Sequence, residues 1–194
     1  KMIHQFDAFL ADPRYWVDEN RGIERLKKKT GDGFRGYRLG LRTIARATDT
    51  RTLIGTILPA NVFAGNSLSV AKIQDTKVLL YYISILNSFC LDWIIGMQQG
   101  GANVNLFIVN SLPVPRIDEK HRLFKPIVQL SAQLICERPE FDDLWASLGD
   151  WVDNLPRATT PDLRDVILKE LDAMIAHLYG IEYHEYLDII LKAF

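Results

Sequence analysis

The sequence predicts an α+β fold in which a small twisted sheet with one buried helix precedes a helical C-terminal region. Two observations support this prediction. The first half of the chain contains runs with period-two alternation and many β-branched residues, interrupted by glycine and ended by proline, as is typical of strands. After residue 115, apolar residues recur at the three- and four-residue spacing of amphipathic helices. We therefore expect one domain over residues 1–115 and a helical region over residues 116–194.

The chain opens with a segment that has no regular period. Residues 1–20 are predicted to be irregular, and residues 21–29 are predicted to form a short basic helix that ends at three lysines. Gly31, Gly33 and Gly36 then mark a loop. Because the first residues do not resemble a native start, we expect the chain to be part of a longer protein.

The clearest strand signal is a hairpin across residues 37–58. From residue 37 to residue 46, alternate positions are apolar or small, and the positions between them include Arg38, Arg42 and Arg46. This alternation predicts a half-buried strand whose other face is basic and open to solvent. The Thr-Asp-Thr run at 48–50 is typical of a turn, and the β-branched run that follows it ends at Pro59.

The elements between the hairpin and residue 115 follow from runs of apolar residues. Residues 62–73 predict another strand region, broken at positions 65 and 66, and residues 100–110 predict a returning strand. Residues 76–97 form a mostly apolar run that contains Asp92. An aspartate near the centre of a membrane costs about 2.5–3.5 kcal/mol, so we interpret this run as a single buried core helix.

Four helices are predicted in the C-terminal region, over residues 121–136, 140–148, 161–178 and 183–192. The third has the strongest signals. Thr160 is a good N-cap residue, and Pro161 suits the first helical position. An apolar stripe follows, and Gly180 ends the helix.

The charge of the chain is unevenly distributed. The net charge is only −1, but residues 14–51 carry 11 Lys or Arg against five Asp or Glu, whereas residues 117–194 carry eight against 15. This asymmetry indicates two surfaces with different partners, although two solvated faces would give the same counts. Cys90 and Cys136 are isolated in apolar surroundings, which fits a reducing cytoplasm.

The motifs of the common nucleotide-binding and DNA-modifying enzymes do not occur in this sequence. It contains no Pro-Pro pair, no GxGxxG that follows a predicted strand, no GxxxxGK[ST] motif, and no Glu followed two positions later by Lys. His177 and His184 lie near Glu182 and Glu185, and we interpret them as ordinary polar positions at a helix junction rather than as metal ligands. We expect no catalytic residue, no metal and no cofactor in this chain.

The residues with the chemistry to bind double-stranded DNA lie in and after the hairpin. Arginine can contact phosphate or the guanine edge, and asparagine can make two hydrogen bonds to adenine. A solvated arginine face would show the same pattern, and Thr48 could instead close the hairpin turn. The candidate DNA-binding residues are Arg38, Arg42, Arg46, Arg51, Thr48, Asn61, Asn66, Asn103 and Asn105.

Several segments together resemble the target-recognition region of large adenine-N6 DNA methyltransferases. They are KMIHQFD at 1–7 with RYWV at 14–17, YRLGLRTIARATDTRT at 37–52, LNSFCLDW at 86–93, NVNLF at 103–107, LPVP at 112–115, and LDAMIAHLYG at 171–180. The sequence is thus similar to type IIG restriction–modification methylases and to related phage-defence methylases of the BREX and DISARM kind, which have a TaqI-like specificity region.

The resemblance implies a division of labour within a longer parent protein. An upstream methyltransferase domain would bind S-adenosylmethionine and methylate adenine, while this chain would select the DNA site without a catalytic centre. Two alternatives remain open. The chain could be a protein–protein assembly module of the same machinery with no direct DNA readout, or an enzyme of a type that these motifs do not describe.

Overall fold

A three-stranded antiparallel sheet packs against helices in the computed structural model, which describes residues 3–10, 16–27, 33–45, 49–98, 100–101 and 103–193. The predicted α+β class is confirmed. The strands are β1 (Arg38–Arg42), β2 (Gly55–Leu58) and β3 (Leu68–Ala71). The helices are α1 (Glu19–Lys27), α2 (Thr76–Asn87), α3 (Phe89–Gln98), α4 (Leu106–Ser111), α5 (Phe124–Ile135), α6 (Asp142–Ala146), α7 (Pro161–Leu178) and α8 (Tyr183–Ala193).

The predicted hairpin is confirmed, with β1 in the centre of the sheet. Its partner β2 runs antiparallel to it, so that Arg38 lies opposite Leu58 and Leu41 opposite Gly55. On the other side β3 pairs antiparallel with β1 and places Leu68 opposite Arg42. The strand predicted within residues 62–73 therefore exists as β3.

The hairpin is buried on both faces, so the prediction of a half-buried strand is wrong. Leu39 and Leu41 pack with α2 in the main core, as the alternation predicts. The opposite face is covered by Ile3 from the N-terminal segment and by the loop that precedes β3. Every residue of β1 and β2 is consequently buried, including the two arginines of β1.

The predicted single helix over residues 76–97 is a pair of helices, α2 and α3, bent by 58°. Ser88 at the bend has an extended backbone, with φ −68° and ψ 150°. Its hydroxyl accepts a hydrogen bond from the N–H of Leu91, as an N-cap residue does. Among the described residues no single helix is long and apolar enough to cross a membrane, and α2 and α3 meet those criteria only as a bent pair.

The remaining helices agree with the predictions to different degrees. The bounds of α7 are as predicted, and Thr160 caps it by accepting from the N–H of Leu163. The helices α1, α5, α6 and α8 lie within a few residues of the predicted bounds. The strand predicted over residues 100–110 is wrong: Asn103 forms an isolated bridge with Ile44, and residues 106–111 are helical.

One cluster of buried hydrophobic residues extends through both parts of the chain. It includes Phe6 and Leu39 near the N-terminus, Ile83 and Leu91 in the bent helix pair, and Ile175 in α7. Helix α5 packs between α2 and α7, because its buried face meets both. The boundary near residue 115 stays a prediction.

Gly55 is required by close packing at the start of β2. A Cβ atom added there would lie 2.8 Å from Ile83 Cδ1 and 2.9 Å from Leu41 Cδ2, both inside the core. We expect Gly55→Ala to destabilise the fold by about 1–3 kcal/mol through overpacking. Gly96→Ala is the matched control, since that Cβ would meet nothing within 4 Å and alanine favours the helix. Equal urea midpoints for the two variants would contradict this packing.

Candidate nucleic-acid interface

Arg38, the first of the predicted DNA-binding arginines, is 5% exposed and serves the protein backbone. Its guanidinium donates to the carbonyl oxygens of Gly36 at 3.3 Å and Val62 at 2.5 Å. These bonds join the beginning of β1 to the loop after β2. Burial lowers the pKa of Arg38. The expected solvent-facing position is therefore wrong for this residue.

Arg42, at the other end of β1, is 6% exposed, so it too lacks the solvent-facing position that the alternation predicts. Its Nη2 lies 3.5 Å from the carbonyl oxygen of Arg51 and 3.7 Å from a carboxylate oxygen of Asp49. Burial lowers its pKa, while Asp49 and Asp92 oppose that shift. Arg42 thus lies between the two ends of the hairpin connection (residues 43–54), and its Nε and Nη1 are buried without a hydrogen-bond partner among the described residues.

Arg51 belongs to a buried polar cluster that it forms with Asn87, Asp92 and Asp172. Its Nη2 donates to the carbonyl oxygen of Asn87, and its Nε lies 3.6 Å from Asp92 Oδ2. Its guanidinium carbon lies 4.0 Å from the ring centroid of Phe89, which is a cation–π distance. The side chain of Arg51 is 11% exposed, so most of it lies inside the protein.

The side chains of Asn87 and Asp92 attach the bent helix pair to the chain around β2. The Asn87 amide donates to the carbonyl oxygen of Gly55 at 3.0 Å and accepts from the Gly55 N–H at 2.9 Å. Asp92 Oδ1 accepts from the N–H of Leu53 at 2.5 Å. Burial raises the pKa of Asp92, against the attraction of Arg51. Sequence reasoning missed this cluster, although polar residues inside the apolar run 76–97 were a signal for it.

The carbonyl oxygen of Asn87 is available because the helix is interrupted at Ser88. In a continuous helix this oxygen would accept from the N–H of Leu91. Here that N–H donates to the Ser88 hydroxyl at 3.3 Å instead. The Asn87 oxygen accepts from the Gln5 side chain at 3.0 Å and from Arg51. Three segments that are distant in sequence therefore meet at one carbonyl group.

Asp172 adds a second carboxylate to the buried polar cluster from α7. It is 8% exposed, and its Oδ1 accepts from the N–H of Phe89 at 2.9 Å. Burial raises the pKa of Asp172 to about 6, although the Phe89 N–H and Arg51 act in the opposite direction. Two buried carboxylates and one arginine give this region a structural role, since the guanidinium compensates for part of the cost of burying the carboxylates.

Two of the predicted asparagine segments meet at the end of the sheet where β1 finishes. The N–H of Thr43 donates to the carbonyl oxygen of Ser67 at 3.0 Å, and the N–H of Val104 donates to the Thr43 oxygen at 2.7 Å. Ile44 forms a β-bridge with Asn103. Residues 43–44, 66–67 and 103–105 thus form one surface, which we name the asparagine edge.

The asparagine edge presents polar and apolar side chains to solvent. Asn66, Asn103 and Asn105 are exposed. Ile44 is 56% exposed, and Phe107, just after the edge, is 83% exposed. Asn105 precedes α4 at the N-cap position, where its side chain makes no capping hydrogen bond. These groups can contact a partner without disturbing the fold.

The other predicted residues lie apart from this surface or outside the described residues. Asn61 is exposed, but its φ of 62° lies in the left-handed region, which asparagine adopts more readily than most residues. Its N–H donates to the carbonyl oxygen of Phe34. The conformation of the loop thus accounts for the asparagine there. Arg46 and Thr48 lie outside the described residues.

Comparison with known proteins gives no relative: no family model, curated protein or solved structure matches this chain. Within the part of the chain that the structure describes, no three His, Cys, Asp or Glu side chains are grouped so that they could hold a metal ion. His184 instead lies 3.5 Å from Glu182, and both side chains are exposed.

The buried carboxylate of Asp172 makes the stability of the fold depend on pH. Its pKa of about 6 in the folded state lies above the ordinary value of 3.8, so protonation favours the folded state. Its contribution to stability should be lost as pH rises from about 4 to 6. We expect Asp172→Asn, which keeps an acceptor for the Phe89 N–H, to flatten this dependence and to raise stability at pH 7 by about 2–3 kcal/mol. Urea unfolding at a series of pH values measures both effects, with Asp153→Asn on the surface as control. Parallel curves for wild type and Asp172→Asn would refute the assignment.

Removal of Arg51 should lower the free energy of unfolding, because it leaves Asp92 buried without the guanidinium that lies beside it. We expect Arg51→Ala to cost about 3–5 kcal/mol, as is typical when one partner of a buried pair is removed. The exposed Arg122→Ala is the control and should change the urea midpoint little. If Arg51→Ala is as stable as wild type but binds DNA less well, the residue acts in DNA recognition and not in the fold.

Proposed function

We propose that this chain provides target recognition for an adenine-N6 DNA methyltransferase of a restriction–modification or phage-defence system. The observation that carries the proposal is the asparagine edge, where two separate loops place exposed asparagines beside one strand end. The resemblance of the sequence motifs to the recognition regions of such enzymes supports the same function. In this proposal the partner is double-stranded DNA.

The chemistry of the asparagine edge suits the floor of the major groove. An asparagine amide can donate to adenine N7 and accept from the adenine N6 amino group at the same time. Exposed Ile44 and Phe107 can contact a thymine methyl group, which lies in the same groove. Because residues 43–44 continue directly from β1, a rigid sheet supports these contacts. A·T base pairs are therefore the chemically matched targets.

The proposed division of labour places the chemistry elsewhere in the parent protein. An upstream methyltransferase domain would bind S-adenosylmethionine, and this chain would hold the duplex while the target adenine leaves the base stack. Contacts to phosphates would fix the register, and the basic residues of segment 14–51 other than the buried Arg38, Arg42 and Arg51 have the charge to make them. We place the protein in the cytoplasm, in keeping with free, buried Cys90 and Cys136.

A second function is favoured by the burial of Arg38 and Arg42. Arg38 donates to the carbonyl oxygen of Val62, and Arg42 is 6% exposed. With Arg51, whose side chain is 11% exposed, three of the four predicted arginines are withdrawn from contact with phosphate. A protein–protein assembly module without direct DNA readout would require no basic surface there. The experiment that follows separates the two functions.

Selection from a pool of randomised duplexes tests whether the chain reads DNA. We expect the chain to enrich a short site that contains A·T pairs. Asn66→Ala, Asn103→Ala and Asn105→Ala should each weaken binding to the selected site by about 1–3 kcal/mol, measured by fluorescence anisotropy. Binding to scrambled duplex should stay unchanged, because these side chains contact base edges in the proposal.

Asn20→Ala is the matched control, since Asn20 is exposed on α1 and lies outside the asparagine edge. Circular dichroism of each variant would confirm that the fold is intact. No enriched sequence, or equal affinities for wild type and all three edge variants, would refute DNA readout by this surface and favour the assembly module.

A further inference from the structure

We propose that a cavity over the arginine face of the sheet binds a small amphipathic monocarboxylate, such as a medium-chain fatty acid. The arginine face is the side of the sheet that carries Arg38, Arg42 and Leu58. The cavity has a volume of about 470 Å³, which lies within the range of small-molecule sites in proteins. This inference does not rest on the proposed DNA function, because the ligand would bind in the absence of DNA.

Apolar side chains from distant segments of the chain form the walls of the cavity. Ile3 from the N-terminal segment and Leu58 from β2 are buried at its inner end. Phe63, from the loop after β2, and Leu68, at the start of β3, are partly buried beside them. Ile44 also lines the cavity and is 56% exposed, so one side is open to solvent. Such walls favour a ligand with a hydrocarbon body.

Arg42 is the only charged side chain among the described residues that line the cavity. It is 6% exposed, and its Nε and Nη1 have no hydrogen-bond partner in the part of the chain that the structure describes. Its Nη2 faces the carbonyl oxygen of Arg51 at 3.5 Å and Asp49 Oδ2 at 3.7 Å. Buried polar atoms in proteins nearly always have a partner. An acceptor on a ligand in the cavity would provide one for these donors.

The charge of the site limits the head group of the ligand to a single negative charge. Arg42 supplies one positive charge, and Asp49 offsets part of it. A carboxylate can accept charge-assisted hydrogen bonds from a guanidinium and brings one negative charge. A phosphate monoester brings a charge of about −1.5 to −2, and the excess would be buried without compensation. A monocarboxylate is therefore the better match.

The shortage of polar side chains disfavours a peptide as the occupant of the cavity. Apart from Arg42, Ser67 has the only polar side chain among the lining residues that the structure describes. An extended peptide carries an N–H and a carbonyl group at each residue, and each of these groups would need a partner once it is buried. A hydrocarbon chain has no such groups, so it can enter without losing hydrogen bonds to water.

The test compares decanoate with decanol, which have the same hydrocarbon chain and differ in the charge of the head group. Binding of each compound to the 194-residue chain is measured by isothermal titration calorimetry, below the concentrations at which the compounds aggregate. We expect decanoate to bind about tenfold or more tightly than decanol, because hydrogen bonds between charged groups are stronger than those to a neutral hydroxyl.

Arg42→Met tests the head-group contact, because methionine keeps an apolar stem and removes the guanidinium. We expect this variant to bind decanoate about tenfold or more weakly and to bind decanol as wild type does, so that the preference for the acid disappears. Arg122→Met is the matched control, since Arg122 is exposed and does not line the cavity. Circular dichroism shows whether each variant is folded.

Ala64→Phe tests the cavity itself and keeps the proposal testable if Arg42→Met does not fold. Ala64 lines the cavity and is partly buried, so a phenyl ring there would occupy space that the hydrocarbon chain needs. We expect this variant to bind both decanoate and decanol about tenfold or more weakly. Ala173→Phe is the matched control, since Ala173 is exposed on α7, away from the cavity.

Several outcomes would overturn the proposal. The wild-type chain could bind neither compound, or it could bind decanoate and decanol with equal affinity. Folded Arg42→Met could keep the preference for the acid. Ala64→Phe could bind both compounds as tightly as wild type, which would place them on another apolar surface. None of these measurements involves DNA, so their failure would leave the proposed function untouched.

Discussion

The carbonyl oxygen of Asn87 is the point on which the arrangement of the sheet and helices depends. It accepts from Gln5 in the N-terminal segment and from Arg51 in the hairpin connection. The side chain of the same residue pairs with both backbone groups of Gly55. Residue 87 therefore fixes three separate segments relative to α2. Buried polar groups that are fully paired in this way specify one packing, because any shift leaves a donor or acceptor without its partner.

This constraint explains why the asparagine edge has a defined shape. The buried polar cluster fixes the chain that follows the hairpin connection, and the backbone N–H of Arg42 donates to the carbonyl oxygen of Ile54 at the end of β1. The edge then continues from β1 through Thr43, whose backbone pairs with residues 67 and 104. The candidate interface is thus built from loops but supported by the central strand and the core beneath it.

Sequence reasoning succeeded where a local pattern determines the structure. The α+β class, the hairpin and the bounds of α7 follow from alternation, capping residues and the helical apolar stripe. It failed where distant segments decide the outcome. The alternation placed Leu39 and Arg38 on opposite faces of β1, as observed, but it could not show that Ile3 and the loop before β3 cover the arginine side.

The candidate site shows the same division between local and distant effects. The type of residue identifies side chains with the chemistry to contact DNA, but exposure depends on tertiary packing. Arg38 and Arg42 are therefore buried, whereas Asn66, Asn103 and Asn105 are exposed. Residues 76–97 predict a single helix because they are mostly apolar, and hydropathy contains no information on the bend at Ser88. The small hydroxyl side chain of Ser88 is the only local signal for a bend at that position.

The bend at Ser88 also affects how this fold can vary in sequence. The acceptor shared by Gln5 and Arg51 is a main-chain atom, so no substitution at residue 87 can delete it. It could be lost only through a change that lets α2 and α3 join into one straight helix, which would return the oxygen to the N–H of Leu91. Sequence drift can therefore alter the donors one at a time while the acceptor persists. The identity of the residue after Asn87 thereby controls a contact in which its own side chain takes no part.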